Sequence, residues 1–172
     1  MEVRSVEAIV KALNRAKVKY LIVGGLAVVA HGYERLTSDV DLVIGLEYEN
    51  IIRGLRALMK TGYQMSIPVT PEEFADKKKR AGWRKSKNMI VLKLWSDIHR
   101  RTPVDVFVYE PFDFAKEYGA SRREKVMADI KAPVVSLKTL LKMKRAAGRP
   151  QDLADIADLE RIEELKKEFS SG

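Results

Sequence analysis

The sequence predicts an α/β fold, and three observations carry that reading. Short apolar runs rich in β-branched residues, Tyr20 to Val23, Met89 to Trp95 and Pro103 to Tyr109, have the length of strands. Amphipathic stretches with apolar residues three and four apart lie between them, and from Ser136 onward the pattern is helical. With 172 residues, 46% of them hydrophobic, the chain is long enough to bury an ordinary core.

The first helix is expected over Ser5 to Ala16, where Val6, Ile9, Val10 and Leu13 form one stripe. Tyr20 to Val23 follows as the first strand. Gly24 and Gly25 then permit a tight turn with no Cβ between backbone and ligand, and Leu26 to His31 leaves room for two helical turns. Together these make a candidate anion site, although a Gly-Gly pair alone also reads as an ordinary turn. A second apolar run ends at Gly45. Glu47 to Lys60 carries Ile51, Ile52, Leu55 and Leu58 and reads as a helix ending near Gly62. Tyr63 to Val69 reads as a short strand, and Pro71 to Asn88, which lacks a period, as helix followed by loop. Beyond the strands at 89–95 and 103–109, Pro111 to Gly119 reads as a short helix and Arg122 to Val135 as loop with short extended pieces. Ser136 is a candidate N-cap for a helix running to Ala147, Gly148 is its stop, and Pro150 opens the last helix.

Asp39 and Asp41 interrupt the second apolar run. Strand alternation points them the same way, roughly 7 Å apart, while Val40, Leu42 and Ile44 face the core. Two like charges beside an apolar sheet require a cation or a raised pKa, and a divalent metal is the simplest answer. Asp105 is a third acid in strand context, with Val104, Val106 and Val108 on the opposite face. Arg35, Thr37 and Ser38 precede Asp39 and offer one positive charge and two hydroxyls suited to phosphate. In the helix that starts after Ser136, Lys144 completes the stripe of Leu137, Leu140, Leu141 and Ala147 and so needs an anion, whereas Lys138 and Lys142 read as solvated. Asp152 and Asp155, one turn apart, are placed to cap the last helix, pair with Arg149 or Lys144, or line the site.

Composition narrows the chemistry. Cysteine is absent and there are two histidines, His31 and His99, so thiolate zinc sites, a cysteine nucleophile and a histidine-rich centre are excluded, and any metal is held by oxygen. No apolar segment has membrane-spanning length, and the N-terminus lacks a signal peptide's apolar region, so a cytoplasmic location is expected. The net charge of +8 is local: from Asp76 to Arg101 there are ten Lys or Arg against two Asp. This concentration suggests a polyanionic partner, although a solvated loop would look the same.

An apolar strand, Gly24-Gly25, then Asp39-Val40-Asp41 in a strand and Asp105 in a later one resembles the DNA polymerase β-like nucleotidyltransferase superfamily. Within it, HGYERLTSDVDL and LLKMKRAAGRPQDLADIADL resemble the AbiEii-type group, many of whose members are toxins of toxin-antitoxin pairs. The resemblance covers residues 20 to 45, 103 to 109 and 136 to 159. It implies a small mixed β-sheet with helices packed mainly on one face, a catalytic core over 1–110, and a mainly helical part over 111–172 that completes the nucleotide site. It further implies that Asp39, Asp41 and Asp105 are the catalytic residues and metal ligands. Gly24, Gly25 and Ser38 would hold triphosphate, and Lys144, Arg149 and Asp152 match the Lys, Arg and Asp of the family's tail, with Lys144 on phosphate. Two Mg²⁺ ions, or Mn²⁺, would serve transfer of a nucleoside monophosphate from an NTP such as ATP to a hydroxyl.

The acceptor is expected to be RNA, foremost the tRNA 3′ end, or a protein hydroxyl, with the basic segment 77–87 contacting RNA, Trp83 stacking on a base, and an antitoxin protein as a further partner. Two alternatives stand beside this. One is a transferase for a small, aminoglycoside-like acceptor; the other is a non-catalytic module of the same fold that binds nucleic acid or a partner.

Overall fold

The computed structural model describes residues 1–170. The stripe of the first helix, α1 (Val3–Arg15), is buried at Val6, Ile9, Val10 and Leu13. Strand β1 (Tyr20–Val23) enters α2 (Gly24–Ala30) with no intervening loop, so the glycine turn is the first turn of the helix itself. Then come β2 (Val40–Ile44), α3 (Tyr48–Lys60) and a two-residue β3 (Gln64–Met65). The strand expected over 63–69 thus contracts to its first part, where it can pair with β4 (Val91–Trp95). β5 (Val104–Phe107), α6 (Phe114–Ala120), β6 (Arg122–Met127) and β7 (Ile130–Val134) follow, and α7 (Leu137–Ala147) and α8 (Pro150–Ser170) end the chain. Ser136 caps α7 by accepting from Thr139 N–H, and Gly148 stops it in the left-handed region at φ +62°, as the sequence signals require.

The strands form one mixed seven-stranded sheet in the order β3-β4-β5-β2-β1-β7-β6, with β2/β5 and β1/β7 parallel. Ile22, Leu42, Val106 and Leu92 lie in register across the four central strands and are all fully buried. Helices α1 and α3 cover that face: Asn14 of α1 accepts a hydrogen bond from the Tyr20 hydroxyl at 3.0 Å, and Gly54 of α3 faces Val18 and Ile44. The adjoining row, one residue along each strand, is Val23, Asp41, Asp105 and Lys93, and it points to the other face. Strand alternation therefore separates a dry core from a charged row. Among the described residues no helix is long and apolar enough to cross a membrane.

Two segments differ from expectation. Residues 122–134 are a β-hairpin belonging to the main sheet, so the part after residue 110 contributes two strands as well as helices. Its first strand, RREKVM, has no apolar alternation and its second contains Pro133, both signals against a strand; parallel pairing of β7 with β1, remote in sequence, decides the matter. Residues 71–88 are two helices, α4 (Pro71–Ala75), closed by a Thr70–Glu73 capping box, and α5 (Lys77–Lys87), capped by Asp76. Lys and Arg are good helix formers, and α5 docks without an apolar stripe. Arg80 is buried and donates from Nη1 to the Phe74 carbonyl at 2.6 Å, while the Trp83 ring stacks on Phe74 with centroids 6.4 Å apart.

Candidate active site

Register brings the acids together. Asp41 and Asp105 are direct partners on parallel strands, and Lys93 is the partner of Asp105 on the next strand. Asp39 lies one residue before β2, half-buried, and adds a third negative charge. Burial lifts the Asp41 carboxyl, and the charges of Asp105 and Asp39 lift it further, to about 7; Arg149 and the Gly25 N–H pull it back. The Lys93 ammonium donates to both oxygens of Asp105, at 3.1 and 2.9 Å. That bond raises the Lys93 pKa against the opposing effect of burial, with help from all three acids.

The glycines make the close approach possible. Gly24 takes φ +63°, and a Cβ there would stand 2.0 Å from Asp41 Oδ2; a Cβ on Gly25 would stand 2.2 Å from Thr37 Oγ1. Only glycine admits the acid on one side and the loop on the other. Thr37 is thus seated over the start of α2, whereas Ser38 is exposed. Arg35, expected to offer its charge beside the acids, directs Nη1 to Asp155 Oδ2 at 2.6 Å.

Lys144 has the buried anion its position demanded, and the chain itself supplies it. Its Nζ lies 2.6 Å from Asp155 Oδ2 and 3.2 Å from Asp152 Oδ1, in a group that also holds Arg35 and Arg149. Asp155 is fully buried and Asp152 nearly so, a condition that draws in every nearby cation. Burial acts to raise both carboxyls, but the hydrogen bonds overcome it and hold both below the ordinary carboxylate range: Arg149 and Lys144 on Asp152, Lys144, Arg35 and Gln151 on Asp155. The network ties α7 and α8 to the loop that carries Thr37 and Asp39.

A cleft of about 1020 Å³ opens over the charged row. Gly24, Asp41, Asp105, Lys144, Arg149 and Asp152 line it, so six of the residues singled out in the sequence meet there. Gly25, Arg35, Thr37, Ser38 and Asp39 lie outside that lining. Lys116, Lys138 and Lys142 are on the wall as well. Lys138 and Lys142 are exposed, as expected, but at i and i+4 they share the cleft side of α7, a spacing that could have marked them as a pair. Phe107, Tyr109 and Phe112 supply an aromatic wall. Helix α5 adjoins it through Arg84, whose guanidinium sits 3.5 Å over the Tyr109 ring. Trp83, expected to be open to a base, is half-buried against Phe74, and the buried Arg80 is withdrawn from the surface. Both histidines are structural: His99 is stacked on Tyr63 and bonded to Ser5, and His31 Nε2 donates to the Val135 carbonyl.

The donor set is of the type a hard divalent cation takes: three neighbouring carboxylates, one of them lifted to about 7 by burial and then by its like-charged neighbours. As they stand, no three His, Cys, Asp or Glu side chains among the described residues converge to hold an ion; the Asp105 carboxylate is engaged by Lys93. Asp39, Asp41 and Asp105 are oxygen donors of the kind a hard divalent cation takes, and Asp41 and Asp105 are the two that line the cleft.

No family model matches the sequence, and a search of curated proteins finds no relative. Solved structures do match. The lincosamide antibiotic adenylyltransferase LnuA, crystallised with lincomycin bound, superposes with a TM-score of 0.58 at 17% identity, over 93% of this chain and 97% of that one. TM1012 of Thermotoga maritima, provisionally named a nucleotidyltransferase, superposes with a TM-score of 0.57 at 17% identity, over 99% of this chain and 93% of that one. The chain therefore has the fold of nucleotidyltransferases along nearly its whole length.

Proposed function

We propose that the protein is a divalent-metal-dependent nucleotidyltransferase of the DNA polymerase β-like superfamily, moving a nucleoside monophosphate from an NTP to a hydroxyl. The observation that carries this is the Asp41–Asp105 pair, held side by side by strand register, with Gly24 leaving room for the Asp41 carboxylate in a cleft whose wall carries both lysines and carboxylates. Asp39, Asp41 and Asp105 would hold Mg²⁺, or Mn²⁺ in its place, which when bound would activate the acceptor hydroxyl and neutralise the phosphates. Lys116, Lys138 and Lys142 on the cleft wall would meet the triphosphate, with Arg149, held on Asp152, beside them. Gly24 and Gly25 let the α2 backbone approach it, and Ser38 adds an exposed hydroxyl at the edge. Asp105 would accept the proton of the attacking hydroxyl, and the buried Lys144–Asp155–Arg35 network holds the wall and the Asp39 loop in one geometry.

RNA as acceptor is supported by the exposed Lys77, Lys78, Lys85 and Lys87 on α5, a helix that reaches the cleft through Arg84 and Tyr109. The resemblance to the AbiEii-type group adds a toxin role, with an antitoxin as partner, to the same reading. A second reading, a compact small-molecule acceptor, is favoured by the aromatic wall and by the fold shared with a lincosamide adenylyltransferase. Incubation with each α-labelled NTP, Mg²⁺ and in turn total RNA, the protein alone and a panel of aminoglycosides and lincosamides separates these outcomes. Label in RNA is the expected result; label in none of them overturns the enzymatic reading.

A further inference from the structure

Asp105 is nine-tenths buried, and among the described residues the one side chain hydrogen-bonded to it is Lys93. The contact is not a chance meeting of surface side chains. Lys93 faces Asp105 by strand register, its neighbours Leu92 and Leu94 are buried on the opposite face, and its ammonium spans both carboxylate oxygens. It also lies in the field of Asp39 and Asp41, so one ammonium answers three carboxylates. Like charges directly opposed across a sheet are destabilising, and Asp41 and Asp105 are such a pair. Lys93 is the cation that the bare sheet carries to offset them.

On the reading that these acids are metal ligands, we propose that Lys93 is a resident cation of the acid cluster, occupying Asp105 until a divalent ion displaces it. Without nucleotide the site then takes one ion, at Asp39 and Asp41. An ion on Asp105 must first expel an ammonium tethered to the neighbouring strand, whose side chain is already 60% exposed and can swing into the cleft. Asp105 is thus kept from binding metal before substrate arrives, and a bound triphosphate, which brings further oxygen ligands, is what favours the exchange.

The test is Mn²⁺ titration without nucleotide, with free ion read by electron paramagnetic resonance, on the wild type, Lys93→Met, Lys93→Arg and Asp41→Asn. The wild type and Lys93→Arg should each bind one ion. Lys93→Met should bind a second, or bind the first at least tenfold more tightly. Amine labelling of the wild type followed by mass spectrometry gives a readout that needs no variant: Lys93 should become severalfold more reactive when Mg²⁺ and a non-hydrolysable NTP are added together. The proposal is overturned if Lys93→Met matches the wild type in stoichiometry and affinity, if the wild type alone takes two ions, or if Lys93 labelling is unchanged. In those cases loss of Mn²⁺ from Asp41→Asn would leave the metal-site reading standing. If Asp41→Asn binds Mn²⁺ like the wild type, the metal reading fails and this proposal with it.

Discussion

Replacing Asp41 by Asn tests the electrostatics of the site in one change. The folded protein holds this carboxyl near 7 against an ordinary 3.8, through burial and then the charges of Asp105 and Asp39. A shift of about three units corresponds to about 4 kcal/mol against the ionised form. The sign follows from proton binding: between these two values the folded chain holds a proton that the unfolded chain has released, so wild-type stability falls as pH rises from about 4 to about 7 and is level above. Asn has no proton to lose. The variant should therefore match the wild type near pH 4 and exceed it at pH 8 without metal by up to about 4 kcal/mol, or roughly 10 °C in melting temperature for a chain of this size. Mg²⁺ should stabilise the wild type and leave the variant unmoved, while transfer is lost. Paired thermal melts at both pH values, with and without Mg²⁺, alongside a transfer assay, measure all of this. A variant that melts at or below the wild type at pH 8, or one that retains transfer, would refute the reasoning.

Gly25→Ala should abolish activity while leaving a folded chain, because its Cβ would meet the Thr37 hydroxyl at 2.2 Å and push away the loop that carries Asp39; circular dichroism and a transfer assay check it. Lys144→Ala should destabilise by about 3 to 5 kcal/mol, since it strands the buried Asp152 and Asp155, whereas Lys142→Ala should change stability by less than about 0.5 kcal/mol. Denaturant melts decide between these values, and equal losses would contradict the buried network. Because both carboxyls are held below their ordinary range, the stability they confer is present above about pH 4 and lost as pH falls through the lowered values; acid titration of the wild type should show a loss that Lys144→Ala lacks. Neutralising Lys77, Lys78, Lys85 and Lys87 together should flatten the salt dependence of RNA binding and raise the acceptor KM while sparing NTP affinity. An unchanged salt slope would favour the small-molecule acceptor.

Local sequence was informative wherever one element's own chemistry decides its state. The stripe of α1, the capped α7 with its Gly148 stop, the strands around Asp41 and Asp105 and the buried position of Lys144 could all be read from spacing and residue type, because a helix face and a strand face have fixed periods. Helix α5 and the 122–134 hairpin could not. One docks through the guanidinium of a buried Arg80 and the Trp83 ring on Phe74, and the other exists because β7 finds β1 more than a hundred residues away. In the site, the acids and glycines were visible as a motif, but their partners were not. That Lys93 faces Asp105, that Arg35 turns to Asp155, and that Lys144 bonds to Asp152 and Asp155 all depend on strand register and helix docking. The sequence by itself determined which residues must be buried and which charges would be costly there. Only the tertiary structure decided which charge meets which, because pairing energy depends on distances of a few ångströms between segments that the chain's order leaves unrelated.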